Sequence, residues 1–248
     1  MTKSRDIANS TSTLDVDGGT IKLDGNYPVG TDNVMLGENA GASLTSGGSN
    51  NAFGAYALDG NTEGSNNVAL GRAALGANTT ASNNTAVGFH ALTANTTGTS
   101  NTAVGKQAGD ANTTGGSNSI FGDGAYTTGT TGANNTAIGK SALALNTTAS
   151  YNTAVGYQAG YSNTTGINNT LLGSASGNDL TDADFNTAVG ANSLREDTLG
   201  SRSTALGYYA LGNQNFTSAT DTYNTAVGYH AGLAVTTGIE NTLIGGLT

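Results

Sequence analysis

The chain offers little to a chemist looking for a reaction centre. Its 248 residues contain no cysteine and two histidines, His90 and His230. Those two occupy the same place in a recurring pattern, 140 residues apart, so they do not form one metal site. Gln107, Gln158 and Tyr56 share that place, which marks it as a surface position. Nucleophilic catalysis needs a hydroxyl or thiol beside a base that a third group orients. No such grouping can be read here, so no enzyme, cofactor or metal site is expected. Carboxylates gather between residues 179 and 197: Asp179, Asp182, Asp184, Glu196 and Asp197, with Arg195 among them. Hard cations take several carboxylate oxygens, but the spacing matches no EF-hand loop. A solvated turn is the expected reading of this stretch.

The remaining candidates are aromatic. Phe89, Tyr157, Tyr208 and Tyr229 stand at one repeated position, which Arg72, Lys106 and Lys140 occupy elsewhere. Exposed aromatic side chains combine apolar area with a polar tip and are enriched at binding surfaces. They are candidate surface-binding residues. Covering neighbouring coils or a neighbouring chain is the other role open to them. The many Asn-x-Thr triplets follow from the repeat and carry no weight as glycosylation acceptors.

These residues are positioned by a repeat of unusual regularity. Aligned on Asn, the five-residue motif reads NVMLG at Asn33, NTAVG at Asn84, Asn101, Asn152, Asn186 and Asn224, NTAIG at Asn135, and NTLIG at Asn241. From Asn33 to Ser203 the interval is 17 residues every time, and only the step to Asn224 is longer, at 21. A period of 17 is too short for a helical hairpin repeat. It suits one coil of a parallel β-solenoid, with a first strand at T-A-V and a second centred on the Ala seven residues after Asn, as at Ala57, Ala74 and Ala91. Twelve steps of about 4.8 Å give a rod of roughly 60 Å.

Each column of the repeat carries an expectation. Asn84, Asn101, Asn135 and Asn152 are read as corner residues that supply positive φ, with amides able to ladder along the stack. Gly88, Gly105, Gly139 and Gly156 end the first strand. Val87, Val104, Ile138 and Val155 belong to a column that is always large and apolar, while the residue before each is apolar too. Successive strand residues face opposite ways, so this strand is apolar on both faces. One face lines the coil's interior; the other needs a partner outside it. Ordering 17 residues costs on the order of 17–34 kcal/mol of backbone entropy, against roughly 1.5–3 kcal/mol for one large side chain buried. A single coil does not stand alone, and an obligate homo-oligomer is expected, three copies being favoured. The Thr column (Thr85, Thr102, Thr136, Thr153, Thr170, Thr187) shares a face with the large apolar column, which points to burial rather than to an exposed ice-binding array.

Composition bounds the rest. A net charge of −9 argues against nucleic-acid partners, which select basic patches. Only 10% of residues are charged and 38 are glycine. No apolar run approaches the roughly 20 residues of a membrane-spanning helix, so no membrane insertion is expected. The opening MTKSRDIANSTST has no apolar h-region and does not read as a secretory signal peptide. The chain therefore divides into residues 1–32, a capping or attachment segment in which LDVDGGTIKLDGNYP reads as a hairpin, and a solenoid domain over 33–248.

The motifs NTAVG, NTAIG and NTALG with Ala at the seventh position resemble the head repeats of trimeric autotransporter adhesins. With the YQAG ending and longer period they are similar to repeats of bacteriophage tail-fibre and related virion fibre proteins. The resemblance covers about residues 33–248. It implies a left-handed parallel β-roll assembled as an elongated homotrimer. The chain shows neither coiled-coil heptads nor anchor strands, which favours a virion fibre made in the host cytoplasm. Its expected function is a structural shaft supporting host attachment. Other virion proteins would join through residues 1–32 or the C-terminal end, and a host surface glycan or receptor is a possible partner. An adhesin-like head that binds glycans directly is the alternative.

Overall fold

The computed structural model describes residues 31–246. The hairpin expected over residues 14–28 and most of the capping segment lie outside them. The described chain is all-β, with no helix. Three-residue strands recur from Val34–Leu36 through Thr85–Val87 and Thr153–Val155 to Thr242–Ile244. Thirteen of them form one parallel sheet in sequence order. Register is kept at equivalent positions: Val87 pairs with Val104, and Ala86 with Ala103. The chain is a parallel β-solenoid of about 17 residues per coil. The four extra residues before Asn224 do not disturb the sheet, because Thr204 still pairs with Thr225. They are absorbed on the far side, where Gly200–Ser201 pairs with Thr220–Asp221 in a small second sheet.

The two apolar columns separate as strand geometry demands. The second residue after each Asn points inward, and Ala52, Ala86, Ala103, Ala154 and Ala188 are fully buried. The third points outward: Leu36, Phe53, Leu70, Phe121 and Ile138 are exposed, and Val87, Val104 and Val155 are half-buried. The Thr column flanks this outer row and is half-buried in the single chain, so the sheet shares that face between Thr and aliphatic side chains. Interior volume is balanced between columns. Where the eighth residue is Gly109, Gly160 or Gly232 instead of Leu, a larger side chain fills the space. A Cβ on those glycines would lie 2.7–2.8 Å from Ile120 Cδ1, Leu171 Cδ1 and Leu243 Cδ1 respectively.

The second strand expected around Ala57, Ala74 and Ala91 is not formed; this stretch is a turn. The alanines are fully buried as expected, but the residues on either side are left-handed: φ is 58° at His90 and 50° at Leu92. An L-residue in that conformation interrupts the pleat at a cost of roughly 1–2 kcal/mol. The corner recovers its hydrogen bonds from adjacent coils, as His90 N donates to Arg72 O at 3.0 Å and Leu92 N to Ala108 O at 3.0 Å. Apolar–polar alternation around the buried Ala imitates a strand while the backbone bends.

The Asn column also departs from its expected part. Positive φ falls on the residue before it, as at Asn83 (63°) and Ser100 (60°). The column Asn is buried and works through its side chain. Asn101 Nδ2 donates to Gly115 O at 2.8 Å, and its Oδ1 accepts from Asn118 N at 2.9 Å. The same two bonds recur at Asn84, Asn135 and Asn152. Buried backbone groups must be paired, and at this corner the carboxamide pairs what the sheet cannot reach. A second Asn column, eleven residues on, carries the amide-to-amide ladder: Asn78, Asn95 and Asn112 each donate to the Asn one coil before, at 2.8–3.0 Å.

That inner ladder breaks at Gly129, which stands where the coils on either side have Asn112 and Asn146. Tyr126 replaces the usual Leu three residues earlier and fills the gap. Its ring lies 2.0 Å from where a Cβ on Gly129 would be. Its hydroxyl donates to Gly132 O at 3.1 Å, taking over the bond that Asn95 makes to Gly98 O at 2.9 Å. The ladder ends it leaves, Asn112 Oδ1 and Asn146 Nδ2, are buried without partners.

The strand-ending glycine meets two constraints at once. Gly105 has φ +142°, and a Cβ there would lie 2.4 Å from Gly122 O in the next coil. Gly88, Gly139 and Gly156 repeat that arrangement.

Candidate functional site

The four aromatic residues singled out above are exposed: Phe89 45%, Tyr157 52%, Tyr208 44% and Tyr229 56%. The solenoid brings only two of them together. Tyr208 and Tyr229 sit in consecutive coils with ring centroids 5.4 Å apart and planes 14° from parallel. Phe89 lies eight coils from Tyr229, tilted 34° against His90 at 4.1 Å, its ring centroid 5.8 Å from the Arg72 guanidinium carbon. Tyr157 stands three coils from Tyr208 and shares no ring contact with the others.

The Tyr208–Tyr229 pair is part of a larger cluster. The residue after each is also a ring, Tyr209 and His230. His230 stacks on Tyr229 at 4.0 Å and lies 5.5 Å from Tyr208, with planes 12° and 20° apart. Tyr209 meets Tyr208 and His230 edge-on at 5.0 and 5.7 Å. Its hydroxyl accepts a hydrogen bond from Arg195 Nη1 at 2.9 Å. These four rings, with Asn213 and Leu233, line a cleft of about 300 Å³. His230 Nε2 is shut away from solvent with no hydrogen-bond partner.

Local backbone explains the arrangement. Tyr209 and His230 occupy the left-handed corner, with φ 54° and 57°, which turns side chains of adjacent positions to one side of the coil. Asn213 belongs to the lengthened coil, so the break in period and the ring cluster coincide. The repeat predicts plain surface at this corner, His230 included, and does not single out Tyr209, Asn213 or Leu233. The signal was present in YY followed one coil later by YH, beside the longer step.

The two histidines are eight coils apart, roughly 40 Å at about 4.8 Å per coil. No group of three or more His, Cys, Asp or Glu among the described residues is placed to hold a metal ion. The acidic stretch is dispersed over separate columns. Asp182 is exposed and accepts from the Thr165 hydroxyl at 2.5 Å; Asp184 accepts from Ile167 N at 2.7 Å. Arg195 and Glu196 are exposed, as a solvated turn requires. Asp197 corrects that reading. It is fully buried in the inner-ladder position, accepting from Gly200 N at 3.1 Å, Phe216 N at 3.0 Å and Gln214 Nε2 at 2.5 Å. Its carboxylate organises the start of the lengthened coil, because three donors converge where other coils place an amide.

Two titrating groups stand out. Burial pushes the Tyr126 phenol well above the usual tyrosine range, partly opposed by its hydrogen bond with Asn135. Burial also raises the Asp110 carboxyl, against the Gln107 side chain and the charge of His90, which lower it. Neither adjoins the ring cleft. No helix of the described residues is long and apolar enough to cross a membrane. Comparisons with family models, curated proteins and solved structures return no match. The likeness to fibre and adhesin repeats therefore rests on the motifs themselves.

Proposed function

We propose that the chain is the shaft of a homotrimeric fibre, a phage tail fibre or another virion appendage that supports host attachment, with left-handed coils as the repeat resemblance implies. The observation that carries this reading is the outward aliphatic column. It runs along all thirteen strands of one sheet, uncharged and still partly open to water in the single chain. A continuous exposed apolar row is characteristic of an interaction surface. Covering what remains open is worth about 1 kcal/mol per residue. Summed along the column this is on the order of 10 kcal/mol, comparable with the ~4–15 kcal/mol that association costs. The balance is favourable only if every coil contributes. Parallel, in-register copies meet that condition, because their columns share one spacing. This gives a reason for a strand register kept through every coil, the 21-residue one included, beyond the needs of the single chain.

A stiff rod of stacked coils suits a spacer that holds an attachment surface away from a particle. The reading is of a structural protein that acts by binding, without catalysis. Val104→Asp with Val155→Asp tests it. The pair places carboxylates on the outer row and leaves the interior alanines untouched. Sedimentation equilibrium should show the trimer converted to monomer with the far-ultraviolet spectrum retained. An assembly of unchanged mass would refute the assignment of this face.

A further inference from the structure

We propose that the cleft between the coils that begin at Ser203 and Asn224 binds a neutral hexopyranose unit of a surface polysaccharide. This deepens the attachment role above and rests on it for its biological meaning, although the cleft is complete within one chain. Three observations lead to it. The first is the ring platform. Tyr208, Tyr229 and His230 lie within 20° of parallel. The column neighbours of the tyrosines are Ala191 on one side and Gly246 on the other, too small to cover the outer ring faces. The π-face of a ring is negative, and the axial C–H groups of a pyranose present a weakly positive apolar face that fits it.

The second is the polar rim. The phenol hydroxyls and the Asn213 carboxamide surround the platform. Phenols and amides both donate and accept, as sugar hydroxyls do. The third is size and charge. About 300 Å³ is at the small end of ligand sites, roughly 300–1,000 Å³, room for one sugar ring. None of the lining residues is Asp, Glu, Lys or Arg, the nearby Arg195 guanidinium is engaged with the Tyr209 hydroxyl, and the chain carries −9. These favour an uncharged ligand over an acidic one.

The test is affinity electrophoresis of the full chain through native gels containing dextran, mannan or galactomannan, with light scattering on the same samples. Retardation by at least one polymer is expected. Tyr208→Ala and Tyr229→Ala should each weaken it tenfold or more, and His230→Ala severalfold. Tyr157→Ala, at the same column position outside the cleft, should leave it unchanged. No retardation by any polymer, or an equal loss with Tyr157→Ala, would overturn the site. A change of subunit number in Tyr208→Ala or Tyr229→Ala would also overturn it, by making the rings an interchain contact. A trimer that is not retarded removes the site and spares the fibre; a retarded monomer removes the trimer and keeps the site.

Discussion

The exchange of Tyr126 and Gly129 for Leu and Asn makes a sharp prediction about coupling. The four coils with Leu58, Leu75, Leu92 and Leu143 each carry Asn three residues later, at Asn61, Asn78, Asn95 and Asn146. Tyr126→Leu alone would restore the usual side chain but leave the ring's volume empty beside Gly129. It would also remove the hydroxyl bonded to Gly132 O and Asn135 Nδ2. Cavity and lost bonds together should cost about 2–3 kcal/mol. Gly129→Asn alone would place a Cβ 2.0 Å from Tyr126 Cε1, and expelling or shifting a packed ring costs about 2–4 kcal/mol. The double variant should regain the parent's stability, because an Asn there meets Asn112 Oδ1 and Asn146, both partnerless now. Coupling of about 4–7 kcal/mol is therefore expected, above the roughly 0.5–3 kcal/mol usual for residues in contact. Thermal unfolding followed by circular dichroism reads it directly. At about 2–4 °C per kcal/mol for a chain of this size, each single variant should melt some 5 °C or more below the parent, and the double close to it. Additive single effects would show that the ring does not substitute for the missing amide.

The remaining predictions concern the columns and one buried phenol. Gly105→Ala combines a φ of +142° with a Cβ 2.4 Å from Gly122 O; the loss should exceed about 2 kcal/mol in the same melting assay. Asn101→Leu strands the Asn118 N–H and takes one partner from Gly115 O, costing about 2–4 kcal/mol. At alkaline pH, the raised Tyr126 phenol stays protonated in the folded chain while the unfolded chain ionises near pH 10. Its contribution to stability is therefore present below about pH 10 and is lost as pH rises beyond it. Tyr126→Phe should flatten the fall in melting temperature over that range, and an unchanged slope would contradict the assignment.

Much of the architecture was legible because a 17-residue period ties each residue type to one place in the coil. The first strand, the inward and outward apolar columns and the strand-ending glycine all follow from alternation and turn chemistry. The second turn was not legible: Ala57 and its equivalents are buried like strand residues, and nothing in their flanks announces that Tyr56 and Leu58 are left-handed. The carboxamide columns were visible as a pattern, but which backbone groups they serve depends on pairs 14 and 17 residues apart. Asp197 was misplaced because a carboxylate in an acidic stretch reads as solvated until its three donors are seen. Half of the ring cleft, Tyr208 and Tyr229, was found by column. Tyr209 and His230 stand in a column that reads as plain surface, and contacts both within a coil and between coils join them to the tyrosine pair.

The account turns on whether the outer aliphatic row is covered by further copies of the chain. Molar mass in solution, by light scattering coupled to size exclusion, measures this directly. A mass three times that of the 24.5 kDa chain, stable on dilution, is the expected result. A particle of single-chain mass with the same β-sheet spectrum would mean that the row faces water and that the fibre is wrongly conceived.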